Sequence, residues 1–181
     1  MVDTVHMAEN STRSALIEAG VELLEETGST DITLRAIARR AGVSHGAPRR
    51  WFPTHRALLG AIAGTGLRDL SDELRSAADG APEPLRAAAT AYVEFARRRP
   101  AMFGLIFRHD LIEGSGAELR TVSRPLFDWL VDLTGDASSR EAAAAMWVGV
   151  HGIAVLSSTG ALELAAGGIE VQVLVDRVVG E

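Results

Sequence analysis

The sequence predicts an all-α protein, on three observations. Apolar residues recur at helical spacing nearly throughout, the β-branched runs are short and lack Asn-Gly or Asp-Gly hairpin turns, and Ser/Thr caps alternate with Gly and Pro breakers. No internal repeat is seen.

Residues 1–10 read as a flexible N-terminal arm. The first helix is expected to start after Ser11 or Thr12 and to run to Gly28, with Leu16, Ile17, Gly20, Val21, Leu23 and Leu24 forming a broad apolar face. Thr33 can cap a short second helix. There Leu34, Ile37, Ala38 and Ala41 follow the i, i+3, i+4, i+7 pattern, leaving Arg35, Arg39 and Arg40 outside, and Gly42 breaks it. Gly42-Val43-Ser44 is a turn whose last residue can cap a third helix to Phe52, which Pro53 ends. Pro48 removes one donor there, so its first turn should be loosened. Thr54 can cap a long fourth helix from His55 to about Ala78, interrupted by Asp79-Gly80-Ala81-Pro82.

Further on, the pattern gives helices over 83–99 and 100–107, a polar, glycine-rich loop over 109–116, and a helix over 117–134 that Pro125 should kink. A loop over 135–138, the most apolar segment over 141–156, a loop over 160–168 and a last helix over 169–179 complete the chain. The domain boundary is placed in the fourth helix. Residues 11–59 form the first domain, with its motif at about 33–52, and residues 60–181 form the second.

The chain has no cysteine, and its eighteen basic residues are all arginine, against twenty-four carboxylates. Thiolate nucleophiles, disulfides, cysteine metal sites and lysine-based chemistry are thereby excluded. No nucleophile–base–orienter set or phosphate loop is seen, and the dispersed histidines lack metal-ligand spacing, so no enzyme, metal or cofactor is expected. The N-terminus is polar and no uninterrupted apolar run approaches the ~20 residues of a membrane span, which points to a cytoplasmic protein.

Charge is distributed unevenly. Residues 33–60 hold six arginines (35, 39, 40, 49, 50, 56), two histidines (45, 55) and no carboxylate, between acidic flanks. An isolated cationic patch in an acidic chain suggests a local polyanion site, although charge runs are commonly solvated faces. The patch coincides with a helix-turn-helix pattern. Small Ala38 and Ala41 permit close helix packing, Gly42 the turn, and Val43 fills the angle between the helices. The third helix would then present its first-turn side chains and amides to DNA.

The block from about Thr12 to Leu59 resembles the TetR (tetracycline-repressor-like) family of transcriptional regulators. The match includes Thr27-Gly28, the run Ile37-Ala38-Arg39-Arg40-Ala41-Gly42-Val43-Ser44, Phe52-Pro53 and Leu58-Leu59. Trp147 and His151-Gly152 further resemble the tryptophan and histidine-glycine signature of one subgroup of C-terminal domains. The resemblance implies an N-terminal three-helix DNA-binding domain followed by a helical ligand-binding and dimerisation domain. Its expected DNA-contacting residues here are Thr33, Arg35, Ser44, His45, Gly46, Ala47, Arg49, Arg50, Trp51 and His55.

Three positions depart from the family pattern. Arg49 stands where a phosphate-binding tyrosine is usual, Trp51 replaces a histidine and His55 a lysine. Arg49 can serve phosphate or guanine O6/N7. Trp51 can pack beneath the motif or stack on the DNA backbone. Arg39 and Arg40 can touch phosphate or pair with Glu22, Glu25 or Glu26. The departures leave open a small-molecule-binding protein whose degenerate motif no longer reads DNA.

In the C-terminal region Phe95, Met102, Phe103, Phe107, Phe127, Trp129, Met146, Trp147 and His151 are candidates for a pocket taking a small, largely apolar effector, with ordinary core as the competing reading of each. The 141–156 helix is apolar on nearly all sides, and its small residues permit close approach of another helix. Together with the resemblance this implies a twofold homodimer through the last two long helices, bound to a palindromic operator on double-stranded DNA.

Overall fold

The structure, a computed structural model, describes residues 2–135 and 140–180, with side chains described from Ser11 onward. Its elements are α1 (Val2–Thr27), α2 (Leu34–Arg40), α3 (Ala47–Trp51), α4 (His55–Ala78), α5 (Pro84–Arg98), α6 (Pro100–Phe107), α7 (His109–Ile112), α8 (Arg120–Thr134), α9 (Arg140–Ser158), α10 (Ala161–Ala166) and α11 (Val171–Val179). The protein is all-α, with no strand among the described residues.

Four local expectations are corrected. The backbone of the supposed arm is helical from Val2, because no glycine or proline interrupts the chain before Gly20 and Ser11 and Thr12 are carried inside the helix. Ser44 does not cap α3, which begins at Ala47 after Gly46. The 109–116 loop contains the single turn α7, secured by Arg108, whose guanidinium donates twice to the Asp110 carboxylate at 2.8 Å. The 160–168 loop contains α10, which Gly160 enters from a left-handed conformation (φ 73°). Of the expected 135–138 loop, residues 136–138 lie outside the described residues, as does Met1 of the arm.

The chain divides into two compact units, neither continuous in sequence. The first is residues 1–66 with 101–119, and the second is residues 67–100 with 120–181. Residues 101–119, expected in the second domain, therefore pack with the first. Glycines in α4 account for this. A Cβ added at Gly60 would collide with the Ser115 side chain, and one at Gly66 would collide with Met102. Only a bare backbone leaves room for this segment on α4. Leu16, Leu24, Ile37, Leu58, Ile62, Phe103 and Leu105 form the fully buried core of this unit.

In the second unit α5 and α9 form the central pair, with α8, α10 and α11 packed on one or both. Val93, Phe95, Val150, Ala154 and Val175 on these helices are buried. A Cβ at Gly149 would lie 2.7 Å from Val178, so that glycine sets the close approach of α11 to α9. Arg98 pairs with Glu73, and Arg99 donates to Asp69 at 2.8 Å, tying α5 to the second half of α4. α8 carries Pro125 within it and has no fully buried residue.

Candidate nucleic-acid interface

The motif is assembled by caps. Thr33 Oγ1 accepts from the Ala36 amide at 3.1 Å and starts α2, so this hydroxyl is engaged within the protein. At its other end Gly42 adopts φ 67°, and the Val43 amide donates to Ala38 O at 3.0 Å, which turns the chain sharply. The Ala47 amide donates to Ser44 O at 3.0 Å. Pro48 falls in the first turn of α3, where its missing N–H has no intrahelical partner to lose. It is buried, and its carbonyl accepts from Phe52 N at 2.7 Å. The starting point at Ala47 thus accommodates the proline that a helix capped by Ser44 could not. Thr54 Oγ1 accepts from Ala57 N at 3.0 Å and starts α4 as expected.

The basic island does not point one way. Arg35 and Arg39 are exposed one turn apart on α2, and Arg49 and Arg50 are exposed on α3, beside exposed His45 and Gly46. Trp51 is half-buried, with the Arg50 guanidinium 5.8 Å from its ring centre. Arg40 is committed elsewhere. It donates to Glu22 at 3.1 Å and to both oxygens of Glu26 at 2.8 and 2.5 Å. These hydrogen bonds hold the Glu26 carboxyl below its usual range and raise the Arg40 guanidinium further. His55 is turned inward, its Nε2 lying 2.5 Å from Ile32 O. A carbonyl only accepts, so that nitrogen carries the proton and ties α4 to the α1–α2 connection. Arg56 donates to Glu113 O at 2.7 Å. Five of the island's eight side chains thus remain directed outward: Arg35, Arg39, His45, Arg49 and Arg50.

The effector candidates separate between the units. Met102, Phe103 and Phe107 belong to the first, where Met102 seats against Gly66 and Phe103 lies 5.0 Å from Phe107. The others belong to the second. Phe95 is core, Met146 is half-buried, and Trp129 lies under the Arg75 guanidinium at 4.8 Å. Three candidates do meet. Trp147 stands 6.4 Å edge-on to Phe127 and 5.6 Å from His151.

Tyr92 on α5, which the sequence reading missed, joins this cluster. It accepts from the Trp147 indole, and its hydroxyl lies 2.8 Å from His151 Nδ1. Because indole only donates, the tyrosine oxygen accepts from Trp147 and its O–H donates to His151. Burial pushes the Tyr92 hydroxyl up and the His151 ring down, keeping both neutral. The one available signal was that this is the chain's single tyrosine.

A capped, glycine-turned helix pair with outward arginines, in a chain that also holds a second helical unit, defines a helix-turn-helix DNA-binding protein. Residues 16–62 match the bacterial regulatory proteins of the tetR family, and residues 85–180 match the tetracyclin repressor-like C-terminal domain. The chain belongs to the TetR family, whose members are transcription regulators and not enzymes.

It is similar to the HTH-type transcriptional regulator BetI of Escherichia coli, with 42% identity over 65 residues, 36% of this chain and 31% of that relative. The match spans about a third of the length of such curated relatives. Among solved structures it is similar to a protein of unknown function from Rhodococcus sp. RHA1 (28% identity, TM-score 0.77, covering 93% of this chain and 91% of that one). It is also similar to the TetR transcriptional regulator SCO0520 from Streptomyces coelicolor (26% identity, TM-score 0.57, covering 92% and 95%).

Proposed function

We propose that the protein is a cytoplasmic, ligand-responsive repressor that binds palindromic operator DNA as a homodimer and releases it when a small, largely apolar effector occupies the C-terminal unit. The outward cluster of Arg35, Arg39, Arg49 and Arg50 with His45 carries the reading, because it concentrates cations on the motif of an otherwise acidic chain. Arg49 on α3 and Arg35 and Arg39 on α2 take phosphates, while Arg50 faces the groove from α3.

The dimer reading rests on an uncovered apolar face. Val148, Val155 and Leu156 are exposed along α9, and Val173 is exposed on α11, with Val148 at 61% and Val173 at 50%. α9 is also the one described helix long and apolar enough to cross a membrane, with 22% of that stretch buried. A second copy of the same face would cover it by an isologous contact and set two reading helices about 35 Å apart. Sedimentation should give a dimer at micromolar concentration, and replacing Val148 and Val155 together by lysine should give a folded monomer. A monomeric wild type would refute the assembly.

For the effector we favour the cluster of Tyr92, Phe127, Trp147 and His151, which joins aromatic surface to polar atoms as small-molecule sites do. We also read Trp147 and His151-Gly152 as the subgroup signature, whose tryptophan and histidine grip the same tyrosine. Occupancy would shift the population toward a conformer with wrongly spaced reading helices, and DNA would weaken effector binding by the same factor. The brevity of α3, residues 47–51, favours a second reading in which the motif no longer selects sequence. Selection of bound DNA from a random pool decides between them. Enrichment of a palindrome supports the regulator, whereas weak, salt-sensitive, sequence-independent retention supports the alternative.

A further inference from the structure

The island identified in sequence begins after residue 32, and the only arginine before it is Arg13, within an acidic stretch. Folding relocates that charge. Arg13 is exposed on α1, and its guanidinium lies 5.5 Å from the centre of the Phe52 ring. Phe52 immediately follows the reading helix, in extended backbone (φ −129°, ψ 94°), and is buried. At the same end of α3 the Arg50 guanidinium lies over Trp51. An arginine distant in sequence therefore stands alongside the C-terminal end of α3.

The contact also leaves the guanidinium chemically available. A ring face attracts a cation through its quadrupole but accepts none of the five N–H donors in the way a carboxylate does. Among the described side chains no carboxylate pairs with Arg13, in contrast to Arg40, which two glutamates hold. The remaining described charges of α1 are acidic, namely Glu18, Glu22, Glu25 and Glu26, so among the described side chains of this helix Arg13 alone is suited to a polyanion. In helix-turn-helix docking the reading helix enters the major groove, and cations on its flanks face the phosphates of the groove wall.

We propose that Arg13 is a DNA-backbone contact, supplied by α1 and held by Phe52, that takes a phosphate at the C-terminal flank of the reading helix. The contact fixes how α3 sits in the groove and carries no base information. It rests on the DNA-binding reading above.

The test is equilibrium binding of the full chain to an operator selected from a random pool, and to single-base variants of it, across a salt series. Wild type is compared with Arg13→Met, Arg13→Gln and Arg13→Lys, each checked by thermal unfolding. Methionine keeps apolar cover on Phe52 without the charge, and glutamine is a second neutral replacement. Either neutral variant should weaken binding by a similar factor on every sequence. Each should also make the slope of log affinity against log salt shallower by about 1.8, from ~0.9 for one phosphate in each subunit of a dimer. Lysine should retain most of the slope. A packing loss at Phe52 would lower the unfolding temperature without changing that slope. Unchanged slopes in folded Arg13→Met and Arg13→Gln, against a salt-sensitive wild type, overturn the inference; a wild type without salt-sensitive DNA binding overturns the DNA reading itself.

Discussion

Arg40 and Arg49 belong to the same basic run, and replacing either by alanine removes one positive charge per subunit, yet the two variants should behave differently. Arg49 is exposed on α3, whereas Arg40 is held by Glu22 and Glu26. Each phosphate neutralised on duplex DNA releases about 0.9 of a counterion, so on the proposed reading, with one Arg49–phosphate contact in each subunit of a dimer, Arg49→Ala should show a salt slope shallower by about 1.8. Between about 50 and 200 mM salt, a fourfold rise, that removes about 1.1 decades of the wild-type loss of affinity. Arg40→Ala should leave the slope unchanged, because the guanidinium is already neutralised inside the protein. Its effect belongs to stability: Glu22 and Glu26, one turn apart on α1, would repel without the shared cation, and the unfolding temperature should fall. Fluorescence anisotropy with a selected, labelled operator across the salt series, beside thermal melting, separates the two effects. Equal flattening of the slope by both variants would refute the reasoning, since the crossed ion pair would then be opening onto DNA.

Three further outcomes follow from the same geometry. Tyr92→Phe removes the hydroxyl that accepts from Trp147 and donates to His151, leaving two partners unsatisfied, and should cost about 1–3 kcal/mol in denaturant unfolding; a loss under about 0.5 kcal/mol would show that the three groups are not linked. His151 is depressed below its ordinary value of 6.5 by burial, so the native ring resists a proton that the unfolded chain accepts. Stability from this group is present above that value and is lost as pH falls below it, and melting temperatures should decline more steeply toward acid in the wild type than in His151→Gln. Thr33→Ala removes the cap on α2 and should cost about 1 kcal/mol in denaturant unfolding with the salt slope of DNA binding unaltered; a flattened slope would assign the hydroxyl to phosphate instead.

The helices that frame the motif were readable because their signals are local. Thr33 and Thr54 cap where their spacing to the following apolar residues says they should, and Gly42 takes the left-handed conformation that only glycine adopts cheaply. Ser44 misled because Pro48 does more than loosen the first turn: its ring selects a first-turn position and thereby moves the start of α3 to Ala47. The placement of 101–119 was not readable from that segment itself. Its determinant lies in α4, where Gly60 and Gly66 provide space for Ser115 and Met102, and a glycine in a helix signals close approach without naming the neighbour. Tyr92 escaped for the same reason: its partners are 55 and 59 residues away in sequence, on a helix whose register against α5 no local pattern supplies.

Charge illustrates most clearly why the candidate DNA face had to be built in three dimensions. Counting residues 33–60 treats six arginines and two histidines as equivalent, but the fold binds Arg40 to glutamates, His55 to a carbonyl of the α1–α2 connection and Arg56 to the carbonyl of Glu113. These contacts use the side chains as structural donors that fasten α2 to α1 and α4 to its neighbours. The same fold brings Arg13 from the acidic N-terminal stretch to the end of the reading helix. The proposed polyanion-facing set is therefore smaller than the island in sequence and extends beyond it. The relevant variable is whether a carboxylate or carbonyl already occupies the donor, since a cation paired within the protein neutralises no phosphate and so displaces no counterion from the DNA.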